Sequence, residues 1–113
     1  MQISSSRHGD LLALTLDDQR LDAAVALKFK EAMRGAVSGH DGRVVLDMHN
    51  IAFLDSSGLG ALVAGMKMLG AGRRLELARC GPIVSKVLKL TRMDAVFILH
   101  EERPWTLGGK DAA

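Results

Sequence analysis

Residues 43–65 read RVVLDMHNIAFLDSSGLGALVAG and contain the change of pattern on which the fold depends. The first part is a short apolar run without polar alternation, which is typical of a strand buried on both faces. A connection then leads to Asp55-Ser56-Ser57-Gly58, and a long apolar helix follows. The start of a helix presents unpaired backbone N–H groups and the positive end of the helix dipole. Two hydroxyls and a carboxylate are therefore placed where a phosphate is favoured.

The segments before this stretch predict two strands and a helix. Residues 2–8 and 11–16 flank a Gly-Asp pair, which is a typical turn, so we expect an antiparallel hairpin. A first helix is expected after Asp22, with Gly39 as its stop signal. Its predicted buried face consists of apolar residues at helical spacing: Val25, Ala26, Phe29, Met33 and Val37.

The segments after it continue the alternation of helices and strands. A second helix is predicted from about Ser57 to the glycine-containing residues 70–72, and a strand over residues 75–78. Pro82 suits the first turn of a third helix, and residues 96–100 form a final strand. The apolar residues of the third helix repeat at helical spacing: Ile83, Val84, Val87 and Leu88.

This order of elements predicts an α/β fold. With 113 residues, of which 48% are hydrophobic, the chain can bury the core of one domain. We expect a single domain over residues 1–113, with a mixed β-sheet of about five strands and three to four α-helices. The tail from about residue 103 is expected to be a short helix or disordered.

Composition argues against several functional classes. The net charge of +2 is spread along the chain rather than clustered, so a nucleic-acid reader is not expected. No uncharged apolar run approaches the ~18 residues that span a bilayer, and the first ten residues do not resemble a signal peptide. We therefore expect no membrane insertion and a cytoplasmic protein. The lone Cys80 fits a reducing compartment, because it has no partner for an internal disulfide.

Motif spacing argues against enzymes that bind nucleotides or metals. Gly60 and Gly65 are spaced as in a P-loop, but Met66 stands at the lysine position. A dinucleotide fingerprint fails because Val63 replaces its third glycine. The four histidines share no ligand spacing with the single cysteine, so no metal site is predicted. The expectation is a non-enzymatic protein with no cofactor of its own.

The decisive stretch resembles the STAS domain family, in particular the bacterial anti-sigma factor antagonists. Val45-Leu46-Asp47 and the run IAFLDSSGLG, residues 51–60, are similar to the strand, apolar lead-in and phosphoacceptor loop of that family. A Leu-Asp pair ending at Asp22 resembles the motif that precedes helix one. The resemblance implies a STAS-like fold and phosphorylation of the first serine of D-S-S-G.

Carried onto this sequence, the family pattern makes Ser56 the phosphoacceptor, with Ser57 as the alternative. The residues expected around the phosphate are Asp22, Asp55, Ser57 and Gly58. Many relatives have Gly-Glu before the Leu-Asp pair, whereas this chain has Gln19-Arg20. Arg20 is therefore available to pair with a phosphate. We expect Ser57, which is nearer the helix, to cap its first turn.

The second helix also carries a candidate partner surface. Lys67 is the only charged residue from Gly58 to Gly72, so the side away from the core is small and apolar. The residues predicted to form the partner surface are Gly60, Ala61, Ala64, Lys67 and Met68. Large exposed apolar patches usually mark interfaces, but a helix buried on both sides explains the same pattern.

The resemblance implies a protein-interaction switch rather than an enzyme. Its expected partners are an anti-sigma factor that is also a serine kinase, and a serine phosphatase of the PP2C type. When unphosphorylated, the chain would bind the kinase and release a sigma factor. Two alternatives stay open: a STAS-like structural subunit of an ATPase or transporter that is not phosphorylated, and a small nucleotide-binding domain.

Overall fold

The computed structural model describes residues 1–105, in which the backbone forms seven β-strands and three α-helices. The strands are β1 (Ile3–His8), β2 (Leu11–Leu16), β3 (Arg20–Leu21), β4 (Val44–Asp47), β5 (Phe53–Leu54), β6 (Glu76–Ala78) and β7 (Ile98–His100). The helices are α1 (Ala26–Val37), α2 (Ser56–Lys67) and α3 (Pro82–Leu90), with a 3₁₀ turn at Met93–Ala95. Most of the tail predicted from about residue 103 lies outside the described residues.

Five strands form one mixed sheet in the order β1-β2-β4-β6-β7. The β1–β2 hairpin is antiparallel, and the other neighbouring pairs are parallel. All four residues of β4 are buried, because this strand lies in the middle of the sheet. The predicted α/β class, the hairpin, the buried central strand and the three helices are confirmed.

A second, two-stranded sheet was not predicted. Strands β3 and β5 pair in parallel, with Arg20 opposite Phe53 and Leu21 opposite Leu54. Two residues are too short for the alternation by which a strand is recognised in sequence. This small sheet joins the segment before α1 to the segment before α2, and it therefore positions the D-S-S-G sequence.

The main core lies between the sheet and the three helices. Leu14, Leu46 and Leu77 point into it from neighbouring strands and are completely buried. The helices contribute the buried side chains Phe29, Met33, Val37, Ala61, Leu62, Val84 and Leu88. The expectation that Ile83 shares the apolar face of α3 was wrong, since this side chain is 54% exposed.

The opposite face of the sheet carries a smaller cluster formed by Leu11, Ala13, Val45 and Ala78, against which Trp105 packs. The Trp105 ring also stacks on His8, with the ring centroids 5.3 Å apart. Residues near the end of the described chain thus cover part of this face of the sheet.

Two carboxylates are buried at the same face and are paired with arginines. Arg79 donates to both oxygens of Asp47, with distances of 2.6 and 3.1 Å, and Asp47 is 2% exposed. Arg43 donates in the same bidentate manner to Glu76 at 2.7 and 2.9 Å. Burial alone would raise the pKa of Asp47, but the hydrogen bonds and charge of Arg79 outweigh it and lower that pKa. Neither pair was predicted from the sequence.

Candidate functional site

Asp55 caps the start of α2 and ties it to the segment before α1. Its Oδ1 accepts a hydrogen bond from the Gly58 backbone N–H at 2.8 Å, as expected of an N-cap carboxylate. Its Oδ2 accepts from the Ala23 N–H at 3.3 Å. The prediction that Ser57 is the cap was wrong, because α2 begins one residue earlier, at Ser56, and the carboxylate before it takes the capping bond.

Ser56 and Ser57 are both exposed in the first turn of α2. Within residues 1–105, neither hydroxyl makes a hydrogen bond, so neither is required to hold the loop together. Both lie at the positive end of the helix dipole. The loop thus offers accessible hydroxyls on a backbone that Asp55 keeps in place. The choice of Ser56 over Ser57 stays a prediction.

Asp22 lies on the neighbouring segment, where its carboxylate is only 18% exposed. Its Oδ1 accepts from the Ala24 N–H at 3.1 Å, and its Oδ2 accepts from Arg20 Nε at 3.0 Å. The Arg20 guanidinium carbon lies 4.1 Å from the centre of the Phe53 ring, in a cation–π contact. Asp22 therefore orders its own turn and orients Arg20.

Gly58 is required by a close approach between backbones. It is buried, and a Cβ atom at this position would overlap the Leu21 carbonyl oxygen and lie 2.9 Å from Leu54 Cδ1. The first turn of α2 therefore packs directly on β3. The last residue of D-S-S-G thus has a packing role in this fold.

Helix α2 is buried on one side only. Its apolar composition is therefore not explained by burial on both sides. The buried residues are Gly58, Ala61, Leu62 and Gly65. A Cβ atom on Gly65 would lie 3.3 Å from Met33 Cγ, so this side packs closely against α1. The prediction that Ala61 faces outward was wrong, since it is 2% exposed. Small side chains on this helix serve helix packing as well as the surface.

The remaining residues predicted for the partner surface are accessible to different degrees. Gly60 and Lys67 are exposed, whereas Ala64 and Met68 are half-buried. Met68 also packs against the core. The accessible part of the proposed surface is therefore smaller than predicted.

Of the five large apolar side chains that are exposed in residues 1–105, three lie in β5 or in the first turn of a helix, and their exposure was not predicted from the sequence. Leu27 in the first turn of α1 is 64% exposed, Ile83 in the first turn of α3 is 54% exposed, and Phe53 in β5 is 36% exposed. Because α1, α2 and α3 each connect parallel strands, all three begin at the same edge of the sheet as Ser56. The sequence did contain a signal, since Leu27 does not belong to the predicted apolar face of α1.

Cys80 is unsuited to nucleophilic chemistry. Burial, together with the charge of Asp47, raises the pKa of its thiol to about 11, so the thiolate is scarce near neutral pH. Within the described chain, no group of three or more His, Cys, Asp or Glu residues could hold a metal ion. No helix within residues 1–105 is long and apolar enough to cross a membrane.

The fold is shared with solved anti-sigma factor antagonists. The chain superposes on the STAS domain protein of Planctomyces limnophilus with a TM-score of 0.80 and 21% identity, covering 93% of each chain. It superposes on the unphosphorylated form of the Bacillus antagonist SpoIIAA with a TM-score of 0.73 and 17% identity, covering 99% of this chain and 98% of the other. At these identities the likeness establishes the fold alone.

Sequence comparison shows the family as well as the fold. The chain is 32% identical over 100 residues to a STAS-domain containing protein of Pseudomonas aeruginosa (strain UCBPP-PA14). The alignment covers 86% of this chain and 97% of the relative. Residues 2–104 match the family model described as the STAS domain. Together with the mixed sheet and the D-S-S-G loop at the start of α2, these matches show that the chain belongs to the STAS domain family.

Proposed function

We propose that the chain is a non-enzymatic anti-sigma factor antagonist controlled by phosphorylation of Ser56. The observation that carries this proposal is an exposed hydroxyl with no hydrogen-bond partner among the described residues, at the start of a helix whose backbone is fixed by Asp55. SpoIIAA, which shares the fold, is known in unphosphorylated and phosphorylated forms. The proposed partners are an anti-sigma factor with serine kinase activity and a PP2C-type phosphatase.

The exposed apolar side chains of β5 and of the helix starts at this edge of the sheet suggest how the switch works. When the chain is unphosphorylated, Leu27, Phe53 and Ile83 would be buried against the anti-sigma factor, which favours association. A phosphate on Ser56 adds a charge of about −1.5 to −2 beside this surface. Desolvating that charge opposes binding, so the complex dissociates. ATP and Mg²⁺ belong to the kinase in this scheme, and both proteins act in the cytoplasm.

Substitutions at Ser56 test this proposal directly. Ser56→Ala is expected to bind the kinase with unchanged affinity and to take up no phosphate, because the accepting hydroxyl is gone. Ser56→Asp is expected to fold normally and to bind about 10- to 100-fold more weakly, which corresponds to about 1.4–2.8 kcal/mol. Calorimetry with the kinase and phosphopeptide mapping measure the two effects.

Ser57→Ala is the matched control, since it removes the neighbouring exposed hydroxyl and is expected to alter phosphorylation little. Label found on Ser57 would move the acceptor by one residue and contradict the assignment. Equal affinities of Ser56→Ala and Ser56→Asp would contradict the switch and favour a structural subunit that binds regardless of phosphorylation.

A second experiment concerns the accessible side of α2. Ala64→Glu is expected to weaken kinase binding at least about tenfold, because it places a charge within an apolar interface. Ala95→Glu, an exposed position in the 3₁₀ turn, is the control and should bind normally. Both variants should change the free energy of unfolding by less than about 1 kcal/mol. Normal binding by a folded Ala64→Glu variant would remove α2 from the partner surface.

A further inference from the structure

Arg20 is oriented by two neighbours while part of its guanidinium stays open. Its Nε donates to Asp22 Oδ2 at 3.0 Å, and its guanidinium carbon lies 4.1 Å from the centre of the Phe53 ring. The side chain is nevertheless 61% exposed. Within residues 1–105, its two terminal nitrogens donate no hydrogen bond. Arg20 therefore presents an oriented pair of N–H donors to solvent.

The segment that carries Arg20 packs against the first turn of α2. Arg20 pairs with Phe53 in the β3–β5 sheet, and Ser56 follows Phe53 by three residues. The Asp55 N–H donates to the Leu21 carbonyl at 3.4 Å, and Gly58 lies against the same carbonyl. Arg20 and Ser56 thus belong to two chain segments that are held side by side.

The charges around this loop make a phosphate there dependent on a cation. Asp22 and Asp55 both place carboxylates at the junction of these segments. On the helices that flank α2, the exposed cations nearest the same edge of the sheet are Lys28 in the first turn of α1 and Lys86 in α3. A guanidinium fork binds phosphate oxygens in a bidentate manner, whereas an ammonium acts as a point charge.

We propose that Arg20 binds the phosphate of phosphorylated Ser56 through its terminal nitrogens, while its Nε remains bonded to Asp22. This inference rests on the proposed function and adds a regulatory contact within the chain. Asp22 is then a positioning residue, since it sets the orientation of the guanidinium. Phosphorylation would also pair the Arg20 guanidinium, which is exposed beside Phe53 in the unphosphorylated chain.

The test measures the second pKa of the phosphate in the full chain, with phosphoserine incorporated at position 56 during translation. This pKa is about 6 for an unperturbed phosphoserine. A neighbouring guanidinium favours the dianion, so ³¹P NMR titration should give a pKa about 0.5 lower with Arg20 than in R20Q. R20K should lie between them, because it keeps the charge and loses the fork.

K28Q and K86Q are the matched controls, since each removes one exposed cation from a neighbouring helix and should raise the phosphate pKa by less than R20Q does. Equal pKa values with Arg20 and in R20Q would overturn the proposal. A change in K28Q as large as that in R20Q would also overturn it, because the effect would then come from the general field. No partner protein is needed, so this result is separate from whether phosphorylation weakens kinase binding.

Discussion

Arg79→Met is expected to lower the free energy of unfolding by about 3–5 kcal/mol at pH 7, because it leaves the Asp47 carboxylate buried without its cation. Asp47 is 2% exposed, and Arg79 donates two of its hydrogen bonds. Within residues 1–105, the other contacts to this carboxylate come from His49, whose backbone N–H donates to Oδ1 at 3.3 Å and whose ring Nδ1 lies at the same distance. Methionine keeps most of the length of the side chain and removes its charge. Urea unfolding followed by circular dichroism measures the loss.

Arg92→Met is a close control for this variant. Arg79 and Arg92 both have positive φ, at 58° and 61°, so any backbone strain is shared. Within the described chain, the Arg92 side chain makes no ion pair. Asp47→Asn combined with Arg79→Met removes both charges and should recover part of the lost stability. A loss in Arg79→Met no larger than that in Arg92→Met would show that the buried pair contributes little.

The free energy of unfolding should change with pH in opposite directions in the wild type and in Arg79→Met. In the wild type, Arg79 lowers the pKa of Asp47 below its unfolded-state value of about 3.9. The pair therefore stabilises the fold at pH values above about 3.9, and this stabilisation is lost as the pH falls through the lowered pKa. In Arg79→Met, only the smaller contributions of His49 oppose burial, so the pKa of Asp47 should rise. The variant then gains stability as pH falls toward 4. The difference in the free energy of unfolding between the wild type and Arg79→Met should therefore become smaller as the pH is lowered.

Gly58→Ala is expected to cost about 3 kcal/mol, near the top of the usual range for overpacking. The added methyl group would overlap the Leu21 carbonyl oxygen and would lie 2.7 Å from its carbonyl carbon. A backbone atom cannot be moved aside by changing a rotamer, so β3 and α2 would have to separate. The intrinsic preference of helices for alanine over glycine offsets at most about 1 kcal/mol of this loss in stability. Thermal and urea unfolding measure the net loss.

Gly60→Ala separates this close contact from the general effect of glycine in a helix. Gly60 lies two residues further along α2, where an added Cβ would meet no atom within 4 Å. Alanine there should stabilise the chain by about 0.5–1 kcal/mol. Opposite signs for the two substitutions are expected. If Gly58→Ala were as stable as the wild type, the packing of α2 on β3 would not be as close as described.

The parts of the fold that were predicted correctly depend on local signals. The hairpin turn, the unbroken apolar run of β4 and Pro82 at the start of α3 each act within a few residues. The D-S-S-G sequence likewise indicated the start of α2 to within one residue. These signals need no knowledge of which segments meet in space.

The parts that were not predicted depend on contacts between distant segments. The pairing of β3 with β5 and the contact of Gly58 with Leu21 have no local pattern. Ala61 turned inward because α1 packs closely against α2, which helical periodicity alone does not reveal. Asp55 rather than Ser57 caps α2, although both residue types are good caps. Tertiary packing decided each of these outcomes.

The pairing of β3 with β5 has a consequence for the order of folding. The Asp55–Ala23 hydrogen bond joins residues 32 positions apart, so forming the loop around Ser56 requires closure of a long segment. Such non-local contacts form slowly compared with a hairpin or a helix. A chain still emerging from the ribosome would lack this loop until α1, β4 and β5 had been synthesised and docked. The proposed kinase, if it recognises this loop, would therefore act on the folded protein rather than on the nascent chain.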